Sequence, residues 1–401
     1  MAAAAGVVFD AEVLSREERI PAQFVWPAED RAPSGGGVGG VEEIAIPVVD
    51  LGRFLRRGEA GLDELLRGVA EACERHGFFQ VVNHGVRAAL LADAYRCLDA
   101  FYARPLADKQ HAQRRPGSPT ATPAASQAAS AAACRGRRRS PSTAPPAPAP
   151  GPSAPPPSST TSSTSSARTT ATWGTYNRVK TPAYIAIVEV YQEYCDEMAR
   201  LALDVTEVLA AALGLRRSAL RGFFDGGDSI MRLNHYPACR QPHLTLGTGP
   251  HRDPTSLTLL HQDDVGGLQV RPAGGNGEWR AVRPRADAFV VNIGDTFAAL
   301  TDGRHASCLH RAVVSGDCAR RSLAFFLNPP LDRVVRPPDA LLQLQEEKGH
   351  RPRAFPDFTW RDFLEFTQKH YRSDASTMDA FVSWTSTGGR GDDGHAGQEG
   401  K

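Results

Sequence analysis

The sequence lacks the features that mark membrane-spanning and nucleic-acid-binding proteins. No window contains eighteen consecutive apolar residues, and Asp10 and Glu12 interrupt the apolar start before it could serve as a secretion signal. The formal net charge is only +1, which provides no field to attract nucleic acid or an acidic membrane. We therefore expect a cytoplasmic monomer with a small-molecule partner, and neither nucleic acid nor a membrane as a partner.

Closely spaced cysteine pairs are also missing. The seven cysteines are odd in number and widely scattered, and no C-x-x-C pair occurs among them, which argues against a disulfide framework or a structural zinc site. Scattered cysteines of this kind are typical of a protein in a reducing compartment such as the cytosol. With 41% apolar residues in 401, the chain has enough apolar surface to bury a large core.

One long segment lacks every large apolar residue. Residues 116–172 contain no Val, Ile, Leu, Met, Phe, Trp or Tyr and consist mostly of Ala, Pro, Ser and Thr. Because such a segment cannot bury enough apolar surface to offset its ordering entropy, we predict that it is disordered. The basic run Arg135–Arg139 within it is interpreted as solvated, with a nucleic-acid-binding arm as the alternative.

The remaining segments predict a mainly β protein with flanking α-helices. Apolar residues recur at helical spacing over residues 61–76, 88–104 and 183–213, with Gly77 and Gly214 ending the first and third helices. A first edge strand is predicted at Ile44–Leu51. Short β-like runs then follow one another closely within residues 229–330, separated by Gly, Pro, Asp and Asn, which is typical of an antiparallel sandwich or small barrel.

These patterns divide the chain into seven regions. They are a flexible N-terminal arm (1–43), an N-terminal region (44–115), the disordered segment (116–172), a long helix that backs the sheet (173–228), a β core (229–330), C-terminal helices (331–385) and a disordered tail (386–401).

Three residues within the β core have the pattern of a metal site. His251 and Asp253 are two apart, so in an extended chain both side chains lie on the same side. His310 precedes a predicted strand and could reach the same point from across a barrel. Two histidines and one carboxylate form the facial triad that leaves coordination positions open on non-haem Fe(II). The alternative is that these are ordinary loop residues, since twelve histidines make a chance H-x-D pair common.

A second pair supports the metal-site interpretation. Arg320 and Ser322 are again two apart, at the start of an apolar strand, and so face the same side. A buried guanidinium needs a carboxylate, which it can hold with two parallel hydrogen bonds, and the serine hydroxyl adds another donor. The alternative is a salt bridge to an Asp or Glu of the chain itself.

With these residues in place, the sequence resembles the plant 2-oxoglutarate- and Fe(II)-dependent dioxygenases, and among them most closely the gibberellin 20-oxidases. The resemblance covers roughly residues 8–115 and 173–385. Its main motifs are IPAQFVWP (20–27), CERHGFFQVVNHG (73–85), LGTGPH (246–251), HQDDVGGLQV (261–270), NIGDT (292–296), SCLHRAV (307–313), SLAFF (322–326) and FTQKHY (366–371).

The resemblance implies a double-stranded β-helix, or jelly roll, that binds Fe(II) and uses 2-oxoglutarate as co-substrate, with ascorbate as reductant. Matched by motif, His251, Asp253 and His310 would bind the iron. Arg320 and Ser322 would hold the distal carboxylate of 2-oxoglutarate, and Asn234 and Tyr236 would line the same pocket. The other substrates would be dioxygen and a diterpenoid acid, a gibberellin oxidised at C-20. Another gibberellin oxidase or a flavonoid-type relative remains an alternative.

The sequence departs from the family pattern at two positions near these residues. The family usually has Tyr at the position of His235 and Cys at the position of Arg252. Strand alternation turns residue 235 away from its neighbours 234 and 236, so the first change should be tolerated. Arg252 lies between two ligand positions and should face away from the metal.

The larger departure is the segment 116–172, where the family has ordered core residues and a Leu-Pro-Trp-Lys-Glu-Thr stretch. The segment has about the family's length but an unrelated composition. Equal length with unrelated composition suggests translation in a shifted reading frame between two compensating insertions or deletions, and a genuine insertion would have lengthened the chain. A further alternative is therefore a catalytically impaired copy that lacks its substrate wall.

This frame-shift hypothesis predicts the content of the underlying nucleotide sequence. Translating the stretch that encodes residues 116–172 in its two other frames should yield Leu-Pro-Trp-Lys-Glu-Thr or a close variant in one of them. If neither frame gives it, the hypothesis is wrong.

Overall fold

A computed structural model describes residues 16–31, 40–56, 61–105, 131–132, 134–136, 169–171, 182–227, 229–273, 276–346, 352–370 and 376–387. Most of the segment 116–172 and almost all of the tail after residue 386 lie outside these ranges, as does much of the N-terminal arm. Disorder in these regions and the seven region boundaries stay predictions.

Eight α-helices lie in the described ranges, together with four short 3-10 helices. The α-helices are α1 (Leu51–Leu55), α2 (Leu62–Arg75), α3 (Ala88–Tyr102), α4 (Pro182–Ala212), α5 (Asp295–Leu300), α6 (Asp339–Glu346), α7 (Trp360–His370) and α8 (Thr377–Ser386). The 3-10 helices are Ala22–Phe24, Ala28–Asp30, Arg217–Ala219 and Arg221–Phe224.

Strands are concentrated in the second half of the chain. They are β1 (Val48–Asp50), β2 (Phe78–Val82), β3 (Ala131–Ala132), β4 (Cys134–Gly136), β5 (Thr169–Ala171), β6 (Ile230–Tyr236), β7 (Thr248–His251), β8 (Leu257–Gln262), β9 (Leu268–Arg271), β10 (Arg280–Ala281), β11 (Phe289–Ile293), β12 (Leu309–Ala312), β13 (Arg320–Leu327), β14 (Val334–Val335) and β15 (Phe358–Thr359).

The strands β6 to β13 form the predicted jelly roll. The major sheet has the order β1-β2-β11-β8-β13-β6-β3, and the minor sheet has the order β10-β9-β12-β7. Each sheet therefore takes four of the eight strands found between residues 229 and 330, in antiparallel pairs. The structure confirms the predicted fold class, and residues on the inner faces of both sheets point into one shared interior.

The long helix α4 backs the major sheet, as its apolar spacing predicted. It packs on α2, on α3 and on the sheet strands β8 and β13. Its side chains Met198, Leu201 and Val205 are fully buried, and the hydroxyl of Tyr191 donates to the carbonyl of Ala94 on α3 at 3.0 Å. The helix therefore covers the outer face of the sheet and leaves the inner face to the site.

The first strand is shorter than the prediction of Ile44–Leu51. Only Val48–Asp50 pairs with β2, in parallel, because Pro47 has no N–H to continue a ladder. Before the proline the chain joins the minor sheet instead, where the Ile44 amide donates to the Ala281 carbonyl at 2.8 Å. The segment around Pro47 thus joins the two sheets at one edge.

Two further features differ from or add to the expectations. Helix α8 was not predicted individually, although Ser376 caps it by accepting a hydrogen bond from the Asp379 amide at 3.2 Å, a serine-to-acid spacing visible in the sequence. Cys195 is disulfide-bonded, so the expectation of unpaired cysteines is wrong for this residue, whereas five other cysteines are free thiols. Among the described residues, no helix is both long and apolar enough to cross a membrane.

Three glycines allow a graded test of how the helices end. Gly77 and Gly214 follow α2 and α4 with φ of +67° and +78°, whereas Gly68 lies inside α2. A Cβ on Gly77 would lie 2.0 Å from the Ala306 carbonyl oxygen, but a Cβ on Gly68 or Gly214 would meet no atom within 4 Å. Gly77 is therefore required both by its backbone angle and by its close approach to another segment.

We expect Gly68→Ala to raise the free energy of unfolding by about 0.5–1 kcal/mol and Gly214→Ala to lower it by about 1–2 kcal/mol. Gly77→Ala should lower it by more than Gly214→Ala, because it adds a steric overlap to the same backbone cost. Urea denaturation of the three variants measures these differences. Equal losses for Gly77→Ala and Gly214→Ala would contradict the proposed close contact.

Candidate functional site

The pairing of β12 with β7 brings the predicted metal ligands together. His310 lies directly opposite His251 in this antiparallel pair, and Asp253 follows two residues after His251. The Oδ1 atom of Asp253 is 3.6 Å from His251 Nε2 and 3.7 Å from His310 Nε2. The three potential ligand atoms all lie within 4.8 Å of one another. This arrangement could hold a single metal ion.

Both histidines are oriented by their other ring nitrogen. His251 Nδ1 is 2.8 Å from the Gly249 carbonyl oxygen, and His310 Nδ1 is 3.2 Å from the Cys308 carbonyl oxygen. A carbonyl can only accept, so the proton of a neutral ring is on Nδ1 and the lone pair is on Nε2. The backbone thereby directs both Nε2 lone pairs at the space beside Asp253, as is usual for histidines that ligate a metal.

The carboxylate of Asp253 is also fixed in one orientation. Its Oδ2 accepts hydrogen bonds from Thr258 Oγ1 at 2.6 Å and from Asn292 Nδ2 at 2.9 Å. Thr258 lies on β8 and Asn292 on β11, opposite each other in the major sheet. Oδ1 therefore remains as the oxygen that faces the two histidines, and the major sheet sets the position of a ligand that follows a strand of the minor sheet.

The protonation states of the triad suit a metal. Burial, with a smaller effect of His310, lowers the pKa of His251 to about 4, so this ring is neutral near pH 7. Burial alone would raise the pKa of Asp253, but His310, His251 and the two hydrogen-bond donors outweigh it and hold the pKa below its ordinary value. The site thus offers a neutral imidazole and an ionised carboxylate, the forms that bind metal ions.

The four residues predicted to line a co-substrate pocket also lie together. In the pairing of β13 with β6, Arg320 is opposite Tyr236 and Ser322 is opposite Asn234. Asn234 Nδ2 donates to Ser322 Oγ at 3.2 Å, and the Arg320 guanidinium carbon lies 5.2 Å from the centre of the Tyr236 ring. The Tyr236 hydroxyl is 3.1 Å from Thr248 Oγ1 on β7, so this group reaches the minor sheet beside the triad.

Arg320 is buried without an acidic partner. Only 2% of the residue is exposed, yet no Asp or Glu among the described residues pairs with it. Its Nη2 donates to Gln262 Oε1 at 2.7 Å, while its Nε and the Gln262 Nε2 have no partner at all. The alternative of an internal salt bridge is therefore not supported, and the unused donors fit a carboxylate that comes from outside the chain.

Three residues of this site were not singled out from the sequence. Thr258 and Asn292 orient Asp253, and Gln262 holds Arg320. Each is a polar residue in a strand whose other residues are largely apolar and buried. Thr258 and Gln262 are four apart in β8 and so face the same side. A polar residue at even spacing within an apolar strand was therefore the sequence pattern that could have identified these three residues.

The two departures from the family pattern have clear positions. His235 stacks on Tyr102 of α3, with ring centres 4.9 Å apart, on the outer side of β6 as strand alternation predicted. Arg252 donates from Nε to the Ser307 carbonyl at 2.9 Å. It therefore ties the loop that carries Asp253 to the chain just before His310.

Two family models match the chain. Residues 227–329 match the 2OG-Fe(II) oxygenase superfamily, and residues 46–135 match the N-terminal region of the family described as non-haem dioxygenase in morphine synthesis. The first match spans the eight-stranded core and all seven predicted site residues.

Curated relatives align with nearly the whole chain. Gibberellin 20 oxidase 3 of Oryza sativa subsp. japonica is 64% identical over 383 residues, covering 95% of this chain and 96% of the relative. Gibberellin 20 oxidase 1-B of Triticum aestivum is 50% identical over 377 residues, covering 94% of both. Gibberellin 20 oxidase 2 of Arabidopsis thaliana is 44% identical, covering 95% of this chain and 91% of the relative.

Solved structures share the fold. The crystal structure of JOX2 in complex with 2OG, Fe and JA has a TM-score of 0.67 and 26% identity, covering 94% of this chain and 98% of that one. The dioxygenase for auxin oxidation of rice has a TM-score of 0.59 and 25% identity, covering 80% of this chain and 94% of that one.

The contacts of Asp253 predict how its neighbours affect metal binding. Asn292→Ala and Thr258→Val should each weaken Fe(II) binding by about 10–100-fold, since they release the carboxylate that their side chains orient. Anaerobic calorimetric titration with Fe(II) measures this directly and does not require turnover.

Thr206→Val is the matched control for this prediction. The Thr206 hydroxyl is equally buried but donates to the Leu203 carbonyl within α4, far along the chain from the triad. Its Fe(II) affinity should remain that of the wild type. Unchanged affinity in both Asn292→Ala and Thr258→Val would show that these side chains do not position the ligand.

Proposed function

This chain belongs to the 2-oxoglutarate- and Fe(II)-dependent oxygenase superfamily, and we propose that it oxidises gibberellins at C-20, converting C20 to C19 forms. The similarity to gibberellin 20 oxidases along nearly its entire length carries this proposal. The site geometry independently supports the Fe(II)- and 2-oxoglutarate-dependent chemistry, because a two-histidine, one-carboxylate triad lies in the same interior as an unpaired buried arginine.

The proposed iron ligands are His251 Nε2, Asp253 Oδ1 and His310 Nε2. Their donor set fits Fe(II), which accepts imidazole and carboxylate ligands in a facial triad and keeps its other positions open. Fe(II) bound together with 2-oxoglutarate would supply the oxygen-activating chemistry of the reaction. The protein contributes fixed ligand orientation, since Gly249, Cys308, Thr258 and Asn292 hold the ligands through atoms that do not face the metal.

Arg320 and Ser322 are proposed to hold the distal carboxylate of 2-oxoglutarate. The guanidinium has a free Nε–H, and the Ser322 hydroxyl is 3.5 Å from Arg320 Nη1, so both can converge on one carboxylate. Asn234 and Tyr236 would complete the pocket wall. The unpartnered Gln262 Nε2 offers one more donor beside Arg320. A ligand paired here would offset the desolvation of a charge that the chain leaves unpaired.

The alternative function is a catalytically impaired copy of such an enzyme. The composition of residues 116–172, which lack every large apolar side chain, favours it, because a gibberellin is a largely apolar molecule that needs an apolar wall. Such a copy would keep the triad and Arg320 and would still bind iron and 2-oxoglutarate. Its defect would appear only with the gibberellin.

We also propose that the protein acts as a cytoplasmic monomer, with ascorbate as reductant. Large apolar side chains exposed in the described part of the chain are Val48, Leu55 and Val334, each 40–45% exposed. Val48 and Leu55 lie seven residues apart, and Val334 is far from both along the chain. Three single side chains of this kind do not suggest an extended apolar interface.

The function predicts a product and the dependence of its formation on Arg320. Wild-type protein with Fe(II), 2-oxoglutarate and ascorbate should convert a C20 gibberellin to a C19 gibberellin in successive oxidations, with one succinate released for each oxidation. Arg320→Met should weaken 2-oxoglutarate binding by about 2–5 kcal/mol, since it removes one partner of a buried charge pair. Mass spectrometry of the gibberellins and calorimetric titration of 2-oxoglutarate measure the two effects.

Arg321→Met is the matched control. Arg321 is the next residue in β13 but faces the other side, where it pairs with Asp99 and Asp263, so its 2-oxoglutarate affinity should be unchanged. Turnover of C19 but not C20 gibberellins would assign a different gibberellin oxidase. Succinate release with no gibberellin product would instead favour the impaired copy.

A further inference from the structure

A second group of arginines lies on the outer face of the minor sheet. Arg311 follows His310 in β12, and strand alternation turns it to the opposite side of the sheet from that metal-site histidine. In the neighbouring strand β9, Gln269 is opposite Arg311 and Arg271 is opposite Leu309, so Gln269 and Arg271 share this outer face. Trp279, just before β10, completes the group.

Both arginines contact the same aromatic ring. The guanidinium carbon of Arg271 lies 4.4 Å from the centre of the Trp279 ring, and that of Arg311 lies 4.2 Å from it. Arginine stacks well on indole, which accounts for the orientation of each side chain. Stacking on the indole does not explain why two positively charged guanidinium groups lie next to each other where little water reaches them.

The group contains three buried donors without acceptors. Arg271 Nε, Arg311 Nη2 and Trp279 Nε1 are all buried, and none has a hydrogen-bond partner. Arg311 is only 1% exposed. An unsatisfied buried donor lowers the stability of the folded state by about 1–3 kcal/mol, and by more when the group is charged. Three such donors together suggest that an acceptor from outside the described chain binds here.

The neighbouring acceptors are already used, are neutral, or, like the Asp30 carboxylate, act on Arg311 through their charge without forming an ion pair with it. Arg311 Nε donates to Gln269 Oε1 at 2.8 Å, and its Nη1 donates to the backbone carbonyl of Asp30 at 2.8 Å. Glu278 and Glu42 both pair with Arg280. Among the described residues, no carboxylate therefore forms an ion pair with Arg271 or Arg311.

We propose that Arg271, Arg311 and Trp279 form a binding site for a small oxyanion, either a phosphate or a carboxylate group. Guanidinium groups hold such anions with short, charge-assisted hydrogen bonds, and the indole N–H supplies a further donor. Arg271 and Trp279 are only partly buried, but their unpaired donor atoms are covered, so these two side chains must shift outward to admit an anion. The site is separate from the Arg320 pocket, which belongs to the major sheet.

A bound anion would connect three parts of the protein. Arg271 lies on β9, Arg311 on β12, and the Asp30 carbonyl that Arg311 also holds belongs to the N-terminal segment. Because β12 carries His310, the anion would reinforce the strand that provides a metal-site residue. A ligand that binds only the folded state also raises the thermal midpoint as its concentration rises.

The test uses the full chain carrying Arg320→Met, so that the proposed 2-oxoglutarate pocket cannot supply the anion site. Inorganic phosphate and acetate are titrated separately into metal-free protein at constant ionic strength, with calorimetry and the thermal midpoint as readouts. We expect saturable binding of one anion per chain. Tighter binding of phosphate would identify a phosphate ligand, and tighter binding of acetate would identify a carboxylate.

Adding Arg271→Gln should weaken this binding about tenfold or more, because it removes a charged donor. Adding Trp279→Phe, which keeps the ring and removes the N–H, should weaken it several-fold. Arg280→Gln is the control, since Arg280 is adjacent but engaged by Glu42 and Glu278, and it should bind the anion as before. Absence of saturable binding by both anions, or equal binding in Arg271→Gln, would overturn the proposal whether or not gibberellins are substrates.

Discussion

The antiparallel pairing of β7 with β12 is the constraint on which the site depends. It places His310 opposite His251, although the two residues are 59 positions apart in the chain. Because side chains alternate along a strand, a shift of one residue in this register would turn His310 to the outer face and bring Arg311 inside. The pairing of β12 with β9 on its other side, in which four consecutive residues are matched, holds the same register.

The third ligand depends on the other sheet. Asp253 follows β7 of the minor sheet, but Thr258 and Asn292 of the major sheet bind its Oδ2. The proposed metal centre therefore requires the two sheets to be packed face to face. The helix α4 contributes indirectly, because it covers the outer face of the strands β8 and β13 that carry Gln262, Arg320 and Ser322.

Buried polar groups without partners occur together at two places among the described residues, besides others elsewhere such as Tyr194 and His305. Other buried polar side chains, such as Thr206 and Thr367, find an acceptor within the chain, and their role is to fix local structure. Arg320 and Gln262 on the inside, and Arg271, Arg311 and Trp279 on the outside, keep unused donors. Since an unsatisfied buried donor is unfavourable, such groups are where a ligand adds most to stability.

The sequence alone predicted the fold class, and period-two spacing in H-x-D and R-x-S placed each of these pairs on one face of an extended chain. The roles predicted for Asn234 and Tyr236 came only from the resemblance to the family. The sequence also located the long helix and the glycines that end α2 and α4. Only the tertiary structure decided that β12 lies beside β7, that Thr258 and Asn292 orient Asp253, and that Arg320 has no acidic partner among the described residues. These facts depend on contacts between residues far apart in the chain. Local spacing can mark a polar residue such as Thr258 within an apolar strand, but it does not say which distant residue that side chain contacts.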